Sequence, residues 1–454
     1  NSRRETANSS NVNLPNIEVS NLSEIRIDAV GLLPPSVTGL PLTIWRDSTT
    51  ADLNRLLDDI TISSNPVIQS LLFRLLLAEG YAPYDSDDSF SFFLSRINKL
   101  VEYGAVEPAL ALLKRAAPLP AQLVPSLFEL SMLSEEMSPA CDQVLQLGGS
   151  YPEYGARIYC HARKGDWLTA QLMLETTAAL GTIDLRQEAL FHLFLETYAH
   201  DPIIAQLPPP SATTFLEFRL YEAIGEPISP SNLPRKFSVS DLSGDHGWKA
   251  QLEAAEKLKT SGALADNRFL GIFTSRKPSA SGGIWDRVSL IQKFDDAVKQ
   301  DSILLAKAAL QELSDSRNFA TLAGPVSRLF SGKLILFQLE KPEMILANRL
   351  ALLTPNYEMA AYQLKSLSKQ NEVEIARIVM KSATQDIFSI RAQMKDETIN
   401  YAIIDENESE FQLAVISSIN TFSLSEMINF IDHSTIIGND PPDLYGGGRK
   451  WAFD

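Results

Sequence analysis

The chain has 454 residues, 45% of them apolar, which is enough to bury a substantial core. Lys and Arg number 40 against 56 Asp and Glu, a net charge of −16. That balance argues against a nucleic-acid partner, which needs clustered cations, and against an anionic membrane surface. The apolar runs Ser70–Leu77 and Leu334–Leu339 are short and interrupted by Arg74 or Gln338, well under the ~20 residues that span a bilayer.

Residues 1–20 are polar and rich in Asn and Ser, and the first residue is Asn1. They read as a flexible leader of the kind left by a removed signal peptide. Glu24 to Asp28 is predicted as a short extended lead-in. From residue 50 onward the apolar spacing is helical. Ile68, Leu71, Leu72, Leu75 and Leu76 share one predicted face. Leu110, Leu112 and Leu113 form another, as do Leu172, Met173 and Leu174 after Gly165-Asp166-Trp167. Ala254, Ala255 and Leu258 continue the pattern, then Leu304, Ala308 and Leu310, then Ile375, Ile378 and Val379. The breaks are short and carry Gly or Pro, as helix-to-helix connections do.

An internal repeat is visible. Tyr103-Gly104-Ala105 aligns with Lys164-Gly165-Asp166, and a small residue follows each glycine by five positions, Ala109 and Ala170. Ala140 stands at the matching offset between them. A helix ending in Gly, a short turn and a second helix with a small contact residue resembles the tetratricopeptide plan in period and pattern.

Cys141 and Cys160 flank Gly148-Gly149-Ser150. With helices on both sides of that turn the two residues fall roughly level, so a disulfide is predicted, which requires an oxidising compartment. Two buried free thiols are the other reading.

The middle of the chain is richer in breakers. Pro208-Pro209-Pro210 interrupts the first set of helices, and the polar stretch 226–247 reads as a linker or surface loop. A second break covers 275–284. The C-terminus, 441–454, combines prolines, three glycines and then Arg449, Lys450 and Trp451. It reads as a flexible tail whose basic-aromatic tip contacts a partner or a second copy.

The run Trp248-Lys249-Ala250, Gly262-Ala263-Leu264, Asn267-Arg268 and Ser281-Gly282-Gly283-Ile284-Trp285-Asp286-Arg287 resembles a group of uncharacterised exported helical-repeat proteins of alphaproteobacteria. The resemblance covers roughly residues 95–295. It implies a periplasmic address and transfers no catalytic residue.

Chemistry-bearing motifs are sparse. His161, His192, His200, His246 and His433 do not pair at metal spacing. Ser366-Leu367-Ser368-Lys369 fits S-x-x-K but has no K-T-G partner. Asp85-Ser86-Asp87-Asp88-Ser89 lacks the Gly and Glu of a calcium loop and reads as a capping loop. Trp45, Trp167, Trp248, Trp285 and Trp451 read mostly as packing anchors. No catalytic residue, metal or cofactor is expected.

The expectation is therefore an all-α array of antiparallel helical hairpins, a tetratricopeptide-like superhelix in one or two arrays. Its parts are a leader (1–35), a first array (36–225), a second array (226–440) and the tail. The expected function is a non-enzymatic periplasmic scaffold or adaptor that binds protein partners in an envelope complex, with homo-oligomerisation an open option. The alternative is an envelope enzyme acting on glycan through paired carboxylates.

Overall fold

The computed structural model describes residues 26–62, 66–134, 137–196 and 212–367, and every element among them is helical. In chain order these are α1 (Pro35–Thr38), α2 (Thr50–Asp59), α3 (Pro66–Leu77), α4 (Ser91–Glu102), α5 (Val106–Arg115) and α6 (Val124–Ser131). There follow α7 (Met137–Leu147), α8 (Tyr154–Arg163), α9 (Trp167–Ala179), α10 (Leu185–Glu196), α11 (Phe215–Ala223) and α12 (Trp248–Lys259). The last are α13 (Asp266–Thr274), α14 (Ile284–Lys299), α15 (Ile303–Asp315), α16 (Phe319–Leu334), α17 (Lys341–Ala351) and α18 (Tyr357–Leu367). Sequence neighbours pack as pairs, such as α4 with α5, α8 with α9, α14 with α15 and α16 with α17. The described residues form an all-α array of helical hairpins, as the periodicity predicts.

The repeat has a physical basis in its turns. Gly104 and Gly165 end their helices in the left-handed region, at φ 85° and 80°. The next amide reaches back to a carbonyl one turn inside the helix: Ala105 N to Leu100 O at 2.8 Å, and Asp166 N to His161 O at 2.9 Å. The same construction closes α14, with Ser302 N to Ala297 O at 2.9 Å, but Asp301 stands where the others have glycine, at φ 49°. Ala109, Ala170 and Ala306, each five residues on, are fully buried where the paired helices approach. The third copy escapes a search keyed to glycine.

Two expected apolar faces are rotated. Leu174 and Leu310 point inward as read, but Leu172 and Leu304 are exposed, and α9 and α15 complete their buried faces with Ala170 and Thr177, and with Ala306, Ala309 and Leu313. In both helices small residues share the contact with one or two leucines, so the leucines alone were a poor guide to the inner face.

The lead-in also differs from expectation. Ile27–Ala29 is a 3-10 turn, and Asp28 and Val30 are buried. Arg96 of α4, itself buried, holds this segment. Its guanidinium donates to the carbonyls of Val30 at 2.8 Å, Leu76 at 2.9 Å and Ala78 at 3.0 Å. The Asp28 carboxylate accepts from Phe93 N at 2.7 Å and from the Ser86 hydroxyl. Gly31 has backbone against it: a Cβ there would lie 2.4 Å from Ala78 O. Residues 26–35 thus belong to the body rather than to a loose leader.

Buried apolar residues form two clusters, one from Val30 to Phe237 and one from Leu242 to Leu364. They meet in the stretch read as a linker. Its 3-10 helix, Arg235–Ser243, places Phe237 in one cluster and Leu242 in the other, and Val239 touches both. Polar contacts stitch the same junction: Ser261 Oγ donates to Tyr103 O at 2.6 Å, and Gln69 Nε2 to Thr260 O at 2.7 Å. The alternation of Phe237, Ser238 and Leu242 with polar neighbours concealed a packed segment inside a breaker-rich stretch.

Candidate functional groove

Two clefts adjoin on the first half of the array. One, of about 370 Å³, lies between α4, α6, α11 and the start of the 3-10 helix. The other, of about 360 Å³, lies between α6, α8, α10 and α11. Glu129 and Phe215 line both, so the clefts form one groove.

Local structure places each of these side chains. A reciprocal cap between Thr214 and Glu217 starts α11 and sets Phe215 at its first position. Lys236 follows Pro234, and its ammonium stands 4.2 Å from the centre of the Phe215 ring. Gly155 lets α8 approach α10 and α11, since a Cβ there would lie 2.8 Å from Gln187 Nε2.

The groove is predominantly acidic. Glu102, Glu129 and Glu153 line it against the single ammonium of Lys236. Glu102 is bonded to Lys99 at 2.7 Å. Glu129 is accessible, yet the walls strip part of its hydration. That desolvation, and next the charge of Glu153, raise its carboxyl pKa, while Lys236 pulls it back. Desolvation lowers the Lys236 pKa in turn, against the attraction of Glu129. Tyr151 lies close to both carboxylates; its buried hydroxyl has no hydrogen-bond partner, and burial with the two negative charges pushes its ionisation upward. The arrangement offers acceptors and negative potential along an open channel with an aromatic at its centre.

The residues singled out in the sequence are distributed differently. Cys141 of α7 and Cys160 of α8 are bonded, with Cα atoms 5.1 Å apart, and both are buried. They fasten one wall of the groove and do not line it. Arg449, Lys450 and Trp451 lie outside the described residues, as do His200, His433 and Lys369. His161 pairs with Asp166 at 3.1 Å, and His246 with Asp241 at 2.8 Å, five residues away rather than adjacent. Asp85 accepts from Thr50 N at 2.8 Å at the start of α2, the capping role read for that loop. Trp45 packs on Phe92 and Trp248 on Trp285, whereas Trp167 is partly exposed. Among the described residues no three His, Cys, Asp or Glu side chains are grouped to hold a metal ion, and no helix is long and apolar enough to cross a membrane.

Sequence reasoning missed Glu129, Phe215 and Lys236, which are spread over more than a hundred residues of chain. The capping pattern Thr214-x-x-Glu217 signals the helix start but not what its first residue faces. No protein-family model, curated protein or solved structure matches the chain.

Proposed function

We propose that this protein is a non-enzymatic adaptor of the cell envelope, working in the periplasm, that holds an extended basic segment of a protein partner in the acidic groove. The observation that carries the reading is the continuity of the two clefts through Glu129 and Phe215. Stacked helical hairpins commonly present such surfaces to peptides. With Glu102 already paired to Lys99, Glu129 and Glu153 against the one ammonium of Lys236 favour Lys or Arg on the partner, and Phe215 offers an aromatic contact for an apolar or cationic side chain. The buried disulfide fits an oxidising compartment.

The test is affinity capture from envelope extracts with the full chain and with a Glu129→Lys, Glu153→Lys double variant, both exposed positions. The double variant, folded by circular dichroism, is expected to lose the partner that the native chain retains. Equal capture by both would remove the groove from the function. Truncation after Asp440 tests in the same assay whether Arg449, Lys450 and Trp451 contribute.

A second reading draws on the same pair. Burial raises the carboxyl pKa of Glu129, and a second carboxylate, Glu153, lies close enough to add to the shift; two such carboxyl groups resemble the acid and partner of a glycan-cleaving site. Release of soluble fragments from cell-wall glycan, abolished in Glu129→Gln, would replace the adaptor reading with this one.

A further inference from the structure

A second cleft, of about 380 Å³, opens between α3, α16 and the turn before α18. Its charge runs against that of the chain. Arg74, Arg328 and Lys333 line it, with Asp266 as the carboxylate among them. Behind it lies Lys259, almost wholly buried, whose ammonium donates to Asp266 and, at 3.1 Å, to Leu264 O.

The ion pairs leave this corner with an excess of positive charge. Asp266 serves two cations, Lys259 and, at 3.2 Å, the Nε of Arg328. Lys333 reaches only Asp301, at 3.7 Å on the surface. Arg74 has no ion pair among the described residues. The nearby Glu256 is committed to Arg287 through two bonds of 2.5 and 2.6 Å. Four cations thus face two carboxylates, in a chain whose net charge is −16.

Donors in the cleft also lack acceptors. Ser331 lines it with 1% exposure, and its hydroxyl has no hydrogen-bond partner. The Nε–H of Arg328 is buried and, although close to Asp266, is not aligned to bond it. A donor buried without an acceptor is costly to fold around, so two on one wall call for an acceptor. Asn356 and Ser70 add an amide and a hydroxyl at the rim.

We propose that this cleft binds a small phosphomonoester. A phosphate dianion matches the excess of two positive charges. Its three terminal oxygens suit guanidinium, ammonium and hydroxyl donors together better than the two of a carboxylate do. The cleft exceeds the volume of a bare phosphate, and Leu71, Leu329 and Leu353 supply apolar wall for the organic part. The site is separate from the acidic groove and does not depend on the function assigned to it.

Titration calorimetry of the full chain with inorganic phosphate, ribose 5-phosphate, ribose and sulfate tests the proposal. Phosphate binds saturably, ribose 5-phosphate binds more tightly than phosphate, and ribose alone does not bind. Arg74→Gln, an exposed change that leaves the core intact, weakens both phosphate ligands at least about tenfold, the loss of one charge-assisted contact. Ser331→Ala weakens them too, without altering the circular dichroism spectrum. Absence of saturable phosphate binding, sulfate binding as tightly as ribose 5-phosphate, or unchanged affinity in Arg74→Gln would each overturn the proposal.

Discussion

Arg96 is the residue on which the amino-terminal packing turns. It is fully enclosed, and burial lowers its guanidinium pKa to about 10 against the stabilising charge of Asp28. At neutral pH it stays charged, because that value remains above the working range. Its donors satisfy three carbonyls on two segments, Val30 of the amino-terminal stretch and Leu76 and Ala78 at the end of α3. Arg96→Met would fill similar space but orphan those carbonyls and leave Asp28 without its nearest cation. The expected cost is about 3 kcal/mol in urea unfolding, with faster proteolysis near residues 26–33. A loss below about 1 kcal/mol would show that water replaces the guanidinium.

At the scale of the element, the recurring turn gives two expectations. Asp301 occupies a backbone conformation that favours glycine, at φ 49°, and its distant contact with Lys333 offsets little of that strain. Asp301→Gly is expected to raise stability by about 0.5–1 kcal/mol, less the entropy that glycine adds to the unfolded chain. Thermal melting checks the sign; a fall in the midpoint would mean that the aspartate side chain holds the turn in another way. The α7–α8 hairpin carries the second expectation. Cys141 and Cys160 close a loop of sequence separation 19 between helices that are already packed. Replacing both by Ala should cost on the order of 3 kcal/mol through the freer unfolded chain. Reduction of the native protein should lower the urea midpoint by the same amount as the double substitution, and unequal shifts would assign part of the effect to lost packing of the sulfurs.

Across the whole molecule, the two clusters of buried apolar residues are joined by a seam that is partly polar, and Lys259 lies beside it. Burial lowers its ammonium pKa to about 8, with repulsion by Arg328 adding to the shift and Asp266 opposing it. The unfolded chain holds this proton up to its ordinary value of 10.5. Between about pH 8 and 10.5 the unfolded state therefore binds more protons than the folded one, and stability rises with pH across that window. The contribution reaches up to about 3 kcal/mol. Lys259→Met should remove it, so the native protein gains stability relative to the variant between pH 8 and pH 10, measured by urea unfolding at each pH. Parallel curves would place the Lys259 proton in ordinary surroundings.

The all-α class, the hairpin plan, the Gly104 and Gly165 turns, the buried alanines after them and the level pairing of Cys141 with Cys160 are determined by local spacing. These features depend on residues within about twenty positions of one another, where helical periodicity and turn chemistry act directly. The inner faces of α9 and α15 were less legible, because small residues mark much of the close contact and leave Leu172 and Leu304 outside. The grooves were not legible. Glu129 meets Lys236, and Arg74 meets Arg328, only through the stacking of hairpins distant in the chain. No periodicity records how a charge on one helix faces a charge on another. The seam at Phe237 and Leu242 belongs to the same class: its backbone is broken by Pro234 and Gly244 as a loop's would be, and only burial against two clusters makes it part of the core.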